Sequence, residues 1–255
     1  TLLLMVHGLC MHDGRWGDAE HDMTAELARG LRAVPLSVRY NSGRHVSQNG
    51  RDLAGLLDRL ASSRPSPRRL VLVAHSMGGL VARSALEVAR VEEHEWLGLE
   101  VELVTLGTPH HGAPLERLGN VVDGLLGSNR FFEPYARLGK ARSAGVTDLR
   151  FGSVHEDDWA DRDRFERGED RRRHVPLPAG VDVYMIAASP TGADLPDRTL
   201  GDGLVRLDSA LGRHPDPERV LEVAPDRQHV LEGINHFDLV RSPAVTARVL
   251  GWLAR

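Results

Sequence analysis

Two hydrophobic periods alternate along the chain. Short apolar runs at Leu2–Val6, Val34–Val38, 70–74, 101–106 and 181–188 have the length and composition of buried strands. Between them apolar residues recur at helical spacing: 19–31, ending near Gly30; 47–63, with Leu53, Leu56, Leu57 and Leu60; and 78–93, with Leu80, Val81, Ser84, Ala85 and Val88. A further strand is expected at 220–223, before a closing helix that carries Val245, Val249, Leu250 and Leu253. Strands alternating with helices predict an α/β fold, a mostly parallel sheet with helices on both faces. In such sheets the chemistry sits beyond the carboxyl ends of the strands.

The rhythm breaks between 113 and 178. There 115–126 has the spacing of an amphipathic helix, Phe131, Phe132 and Tyr135 form an aromatic group, and 156–173 is dense with Asp, Glu and Arg around Trp159 and Phe165. The chain therefore divides into a first part of the core (1–112), an insertion (113–178) and a second part of the core (179–255). The Arg171-Arg172-Arg173 run reads as a solvated face balanced by nearby acids rather than as a headgroup site.

The sharpest signal lies where the 70–74 run ends in His75-Ser76-Met77-Gly78-Gly79 and a helical pattern resumes at once. A serine there sits on a turn tight enough to need small neighbours, which Ala74 and Gly78 supply. Its hydroxyl projects beyond the sheet, and the next N–H lies at a helix start, where the dipole favours negative charge. The segment resembles the nucleophile elbow of the α/β-hydrolase superfamily, G-x-S-x-G, in the A-H-S-M-G form of some bacterial lipases.

Other stretches carry the same resemblance in the same order. His7-Gly8 after the first strand is similar to the oxyanion-hole turn, which implies the N–H groups of Leu9 and Met77 as the donors. Leu106-Gly107-Thr108-Pro109-His110-His111-Gly112 resembles the L-G-T-P-H-x-G segment of bacterial lipases. Gly201-Asp202-Gly203-Leu204-Val205 looks like their acid loop, with Asp194, Asp197 and Asp208 as rivals. Asn235-His236-Phe237-Asp238 looks like their histidine loop, with His229 as competitor.

The resemblance, to bacterial lipases and GPI inositol deacylase-like esterases, implies an α/β-hydrolase fold with a cap or lid at 113–178; for 156–173 a solvated, partly disordered surface insertion is an equal reading. It implies a Ser76–Asp202–His236 triad in the chain order of that superfamily, and contacts to substrate from His7, Gly8, Trp16, His75, Thr108 and His110. For Trp16 a packing role is an equal reading. The implied activity is carboxylic-ester hydrolysis through an acyl-enzyme. Acyltransferase, thioesterase or a non-catalytic binding module on the same fold are the alternatives; a dead module would usually have lost one of the three residues.

Composition narrows the rest. The 255 residues carry a net charge of −4, which suggests neither nucleic acid nor an anionic surface as partner. Lys140 is the only lysine and has no upstream phosphate-loop glycines, so nucleotide chemistry is not expected, and no cofactor is implied. His110 and His111 lack clear Asp or Cys partners, so no metal is assigned to them. Cys10, the single cysteine, reads as a packed loop residue. The expected partner is a small-molecule or lipid ester, met by transient contact of the cap with a lipid interface. Oligomeric state is not legible. Thr1 is no initiator methionine, and Leu2–Val6 is already strand-like; a cytoplasmic location is slightly favoured, with secretion the alternative if a signal preceded this sequence.

Overall fold

The computed structural model describes residues 1–114, 143–161, 170–190 and 201–254. Six strands, β1 (Leu2–Val6), β2 (Val34–Val38), β3 (Arg69–His75), β4 (Glu100–Leu106), β5 (Val181–Ser189) and β6 (Gln228–Glu232), form one sheet in the order β2-β1-β3-β4-β5-β6. Every neighbouring pair is parallel, with Val6 level with Val38 and Ala74, and Leu106 level with Ile186.

Strand periodicity decides which helix each residue meets. Leu4, Val6, Leu70, Leu72, Ala74, Leu103, Met185 and Ala187 face a core shared with α2 (Val46–Ala61) and α3 (Met77–Val91). The alternate residues, Leu3, Met5, Val71, Val73, Val104, Leu106, Ile186 and Ala188, face α1 (Met23–Gly30) and the C-terminal helix Pro243–Leu253. Burial on both faces is why these strands read as nearly continuous apolar runs. Among the described residues no helix is long and apolar enough to cross a membrane.

Two boundaries differ from the sequence reading. The first helix starts at Met23 rather than 19, because the Asp22 carboxylate caps it by accepting from the Ala25 N–H at 2.9 Å and Gly17 bridges to Asp22. The last strand is Gln228–Glu232, not 220–223. The latter stretch lies between two proline-led turns, at Pro217–Arg219 and Pro225–Arg227, and its Leu221 N–H bonds to Gly212 O at 2.9 Å while the side chain is buried. A locally apolar segment filling the core is not thereby a strand.

Between β4 and β5 the described residues form α4 (Ala144–Asp148), a turn at Glu156–Asp158 and an irregular stretch at 170–178. Asp148 ties it to the core, accepting from Val46 N–H at the start of α2 (2.7 Å) and from His45 Nδ1 (3.0 Å). His45 stacks on Trp159 with ring centres 3.8 Å apart, and Trp159 Nε1 donates to Ser47 Oγ at 2.9 Å. The expected helix at 115–126 and the aromatics Phe131, Phe132, Tyr135 and Phe165 lie outside the described residues, as do Lys140, Asp194 and Asp197. A short helix α5 (Leu207–Ala210) follows β5, which makes the C-terminal helix α6.

Topology opens the site. The chain leaves β1 for β2 on one side and returns to β3 on the other. The connections after β1 and β3 therefore lead to opposite faces of the sheet, which makes their carboxyl ends the switch point of the topology. His7-Gly8 and Ser76 occupy those ends.

Leu72, fully buried in the central strand, and Val34, 59% exposed on the edge strand, test this layering. Leu72→Ala is expected to cost about 2–5 kcal/mol and Val34→Ala within about 0.5 kcal/mol, read from urea unfolding midpoints. Equal costs would mean that β3 is not the centre of the core.

Candidate active site

Ser76 joins β3 directly to α3 with φ 54° and ψ −123°, a region costly for a residue with a side chain. The neighbours hold it there. Ser76 N–H donates to Leu106 O at 2.8 Å, tying the turn to the end of β4. Gly78 lies so close to the carbonyls of Val6 and His7 that a Cβ would overlap both. A Cβ on Gly8 would come within 3.0 Å of both Ser76 Cβ and His75 Nδ1, so the two strand ends are pressed together. Among the described residues, the N–H groups of Leu9 and Met77 have no hydrogen-bond acceptor. Met77 begins α3, so its N–H is one of the orphan donors every helix start presents.

On the other side of Leu106, the loops after β5 and β6 converge. His236 Nδ1 donates to Asp202 Oδ2 at 2.6 Å, with both residues buried. The second carboxylate oxygen accepts from Leu204 N–H (3.0 Å) and Val205 N–H (2.8 Å), and Asp202 O accepts from His236 N–H at 3.2 Å. Both side-chain oxygens are thus occupied, which fixes the carboxylate's orientation. The pair sits against Gly107, where φ is 58° and a Cβ would lie 3.0 Å from Asp202 Oδ2 and 3.1 Å from His236 Nδ1. Only glycine meets both demands. Of the rivals, Asp208 on α5 pairs with Arg213 at 3.7 Å, and His229 lies on β6 beside Trp252.

The other candidate residues are enclosed. His7 stacks on Tyr40 at 4.3 Å and donates from Nδ1 to Gly8 O at 2.9 Å, while Tyr40 OH donates to His7 O at 2.6 Å. Tyr40, just past β2, thereby steadies the turn after β1. An aromatic residue just past a strand's carboxyl end is a signal for such a role that the sequence itself carries. His75 lies 4.7 Å from the His236 ring, and its Nε2–H donates to His236 O at 3.0 Å. Thr108 packs on Gly79 and is buried. His110 is fully buried between Arg83 and Thr105, and Trp16 is buried in the core with Met23 and Leu3. Among the described residues no group of three His, Cys, Asp or Glu side chains is placed to hold a metal ion.

A single sheet of parallel strands, a serine at a strained strand-to-helix turn and a converging His–Asp pair invite comparison with known proteins. Residues 45–164 match the model of the PGAP1-like alpha/beta domain. Bacillus licheniformis lipase BlEst2 in its mature form superposes with a TM-score of 0.62 at 21% identity, covering 100% of this chain and 92% of that one. The chain has the α/β-hydrolase fold. In its propeptide form BlEst2 gives a TM-score of 0.64 at 21% identity, and this chain spans 50% of that longer one. Aspergillus fumigatus lipase B gives 0.59 at 11% identity, covering 99% of this chain and 52% of the fungal one. No curated protein matches the sequence. The resemblance to bacterial lipases and PGAP1-like esterases read from the motifs stands.

Enclosure has an electrostatic consequence. Burial, ahead of neighbouring charges, pushes the imidazoles of His75 and His110 well below their ordinary value of 6.5, and His111 down to about 3. Below pH 6.5 the unfolded chain takes up protons that the folded chain refuses. Stability is then fully present above that pH and is lost as pH falls, at about 1.4 kcal/mol per pH unit for each proton. Urea midpoints are expected to be flat from pH 8 to 6.5 and to decline towards pH 4. His111→Gln should flatten the decline by up to one proton. Unchanged midpoints between pH 7 and 5 would contradict neutral, buried imidazoles.

Proposed function

We propose that this α/β-hydrolase is a serine carboxylic-ester hydrolase that works through an acyl-enzyme. The observation that carries the reading is the buried 2.6 Å His236–Asp202 pair lodged against Gly107, one residue beyond the carbonyl that anchors Ser76. With Nδ1 committed to Asp202, Nε2 is the ring nitrogen left to act on the serine.

In this mechanism His236 takes the Ser76 proton as Oγ attacks the ester carbonyl. Asp202 holds the imidazole in the required tautomer and stabilises the imidazolium. The N–H groups of Leu9 and Met77 donate hydrogen bonds to the charged tetrahedral oxygen, and Met77 does so from a helix start that favours negative charge. Collapse of the intermediate expels the alcohol, which takes the proton back from His236. A water deprotonated by His236 then attacks the acyl-enzyme, the acid leaves, and Ser76 is regenerated. His75 acts indirectly, holding the backbone of His236, and His7 with Tyr40 shapes the oxyanion turn.

The 113–178 segment is read as the cap from its place in the chain, between the serine turn and the acid loop. The neighbours named as lipases favour an acyl ester as substrate.

Hydrolysis of p-nitrophenyl esters from acetate to palmitate tests the proposal. Wild type is expected to turn over at least one chain length, Ser76→Ala to lose the activity, and Asp202→Asn to retain the fold with kcat lowered by about 10⁴-fold. The chain-length optimum separates esterase from lipase. A wild type inert on every ester, or a Ser76→Ala variant of full activity, would overturn the reading, and acceptor alcohols would then test acyl transfer.

A further inference from the structure

The proposed oxyanion hole needs the Leu9 N–H to keep one direction, and three successive peptide groups set it. Gly8 O accepts from His7 Nδ1 at 2.9 Å and from Met11 N–H at 3.3 Å. In a trans peptide the N–H lies opposite the C=O, so these bonds aim the Leu9 N–H the other way. The peptide before is held by Tyr40 OH, which donates to His7 O at 2.6 Å. The peptide after is held by Ser42 Oγ, which accepts from Cys10 N–H at 3.4 Å. Tyr40 and Ser42 both belong to the strap 40–46 that links β2 to α2.

That strap is pinned from its other side by α4. His45, which precedes α2, makes no side-chain cap hydrogen bond to it. Asp148 supplies the acceptor instead: its carboxylate takes Val46 N–H at 2.7 Å and His45 Nδ1 at 3.0 Å, an anion at the helix end that favours one. Three residues earlier, Gly145 N–H donates to Gly43 O at 3.3 Å. Gly145 packs so closely that a Cβ there would overlap Ser42 O and crowd Arg44 O and the methyl group of Met77. One turn of α4 thus meets the strap along its length and also touches the residue that carries the second oxyanion donor.

We infer that Asp148 is a positioning residue for the oxyanion hole. By capping α2 it seats α4 on the 40–46 strap, and the strap holds the Leu9 turn in the orientation that binds the tetrahedral oxygen. The inference rests on the serine-hydrolase reading of the site. Asp148 touches no reacting atom and acts only through the strap. The hole meets a charged oxygen in the transition state alone, so loosening it lowers kcat and leaves KM in place.

Asp148→Ala is to be measured on the p-nitrophenyl ester that wild type hydrolyses best, with kcat referred to the serine sites titrated by a fluorophosphonate. The expected result is a kcat lowered by about 10–100-fold at unchanged KM. Affinity for an alkylboronic acid, whose tetrahedral adduct on Ser76 places an oxygen in the same hole, should fall in parallel, while inhibition by the free carboxylic acid product stays as in wild type. A protein that was merely less folded would lose titratable sites and keep both constants. Gly145→Ala lifts α4 off the strap with the Asp148 carboxylate intact; it should show the same pattern, and it carries the test if Asp148→Ala does not fold. Wild-type kcat and boronate affinity in either folded variant, or a rise in KM alone, would overturn the inference and leave the hydrolase reading in place. A wild type inert on every ester would overturn both.

Discussion

Ser76 is held at φ 54° between a strand buried on both faces and a helix buried along most of its length, so its backbone has nowhere to relax. Such a conformation costs about 1–3 kcal/mol, and it persists because several independent contacts converge on it. The N–H is taken by Leu106 O. Gly78 is wedged against the carbonyls that end β1, Gly79 against Thr108, and Gly8 against the serine's own Cβ. The contacts come from the ends of β1 and β4, so fixing the turn also fixes the carboxyl ends of β1, β3 and β4 relative to one another. The N–H groups of Leu9 and Met77, without an acceptor among the described residues, are by-products of the same convergence: one follows the glycine pressed on the serine, and the other opens the helix.

The His236–Asp202 pair depends on that frame through Gly107. The residue follows the carbonyl that anchors Ser76, and its missing side chain is what lets two loops from the far half of the sheet approach. Beyond that, the pair is held from several directions. Backbone N–H groups of Leu204 and Val205 bind the carboxylate, and His75 binds the carbonyl of His236. His75 is adjacent to Ser76 in sequence and touches His236 in space. One buried imidazole thus couples the position of the serine turn to that of the histidine loop.

What the sequence disclosed follows from the range of each interaction. Strand periodicity and the serine turn are local patterns, and β1 to β5, α2 and α3 lie close to where they were expected. The apolar stretch at 220–223 misled because its leucine fills the core from a loop, whereas the true edge strand, Gln228–Glu232, carries a Gln, a His and a Glu. The start of α1 moved because a capping Asp and a bridge at Gly17 compete with helical spacing in the preceding residues. Least legible were buried polar contacts between distant segments. Nothing near His45 announces Asp148, more than a hundred positions away, and Arg83 looks like a solvated position in an α3 that is in fact buried almost throughout. His110 and Trp16 were readable as residue types near the site, but their enclosure follows from packing partners that no local pattern names.

The insertion is attached to the core differently from the helices that cover the sheet. α1, α2, α3 and α6 present continuous apolar stripes, whereas residues 143–161 and 170–178 give the core only scattered apolar side chains such as Leu149, Val154 and Val175. Most of what holds them is polar and directional: Asp148 to Val46 N–H and His45, Trp159 to Ser47, Arg83 to Val175 O, and Arg172 to His110 O and Gly152 O. A hydrogen bond contributes only about 0.5–1.5 kcal/mol net, against about 1.5–3 kcal/mol for each large side chain taken out of water. Attachment by a few precise bonds gives a segment one well-defined seat without much depth. Its local opening therefore costs less than disturbing the sheet. Gly145 of this segment lies against the Met77 side chain, next to Ser76. A segment held mainly by polar bonds and the strained serine turn are therefore neighbours.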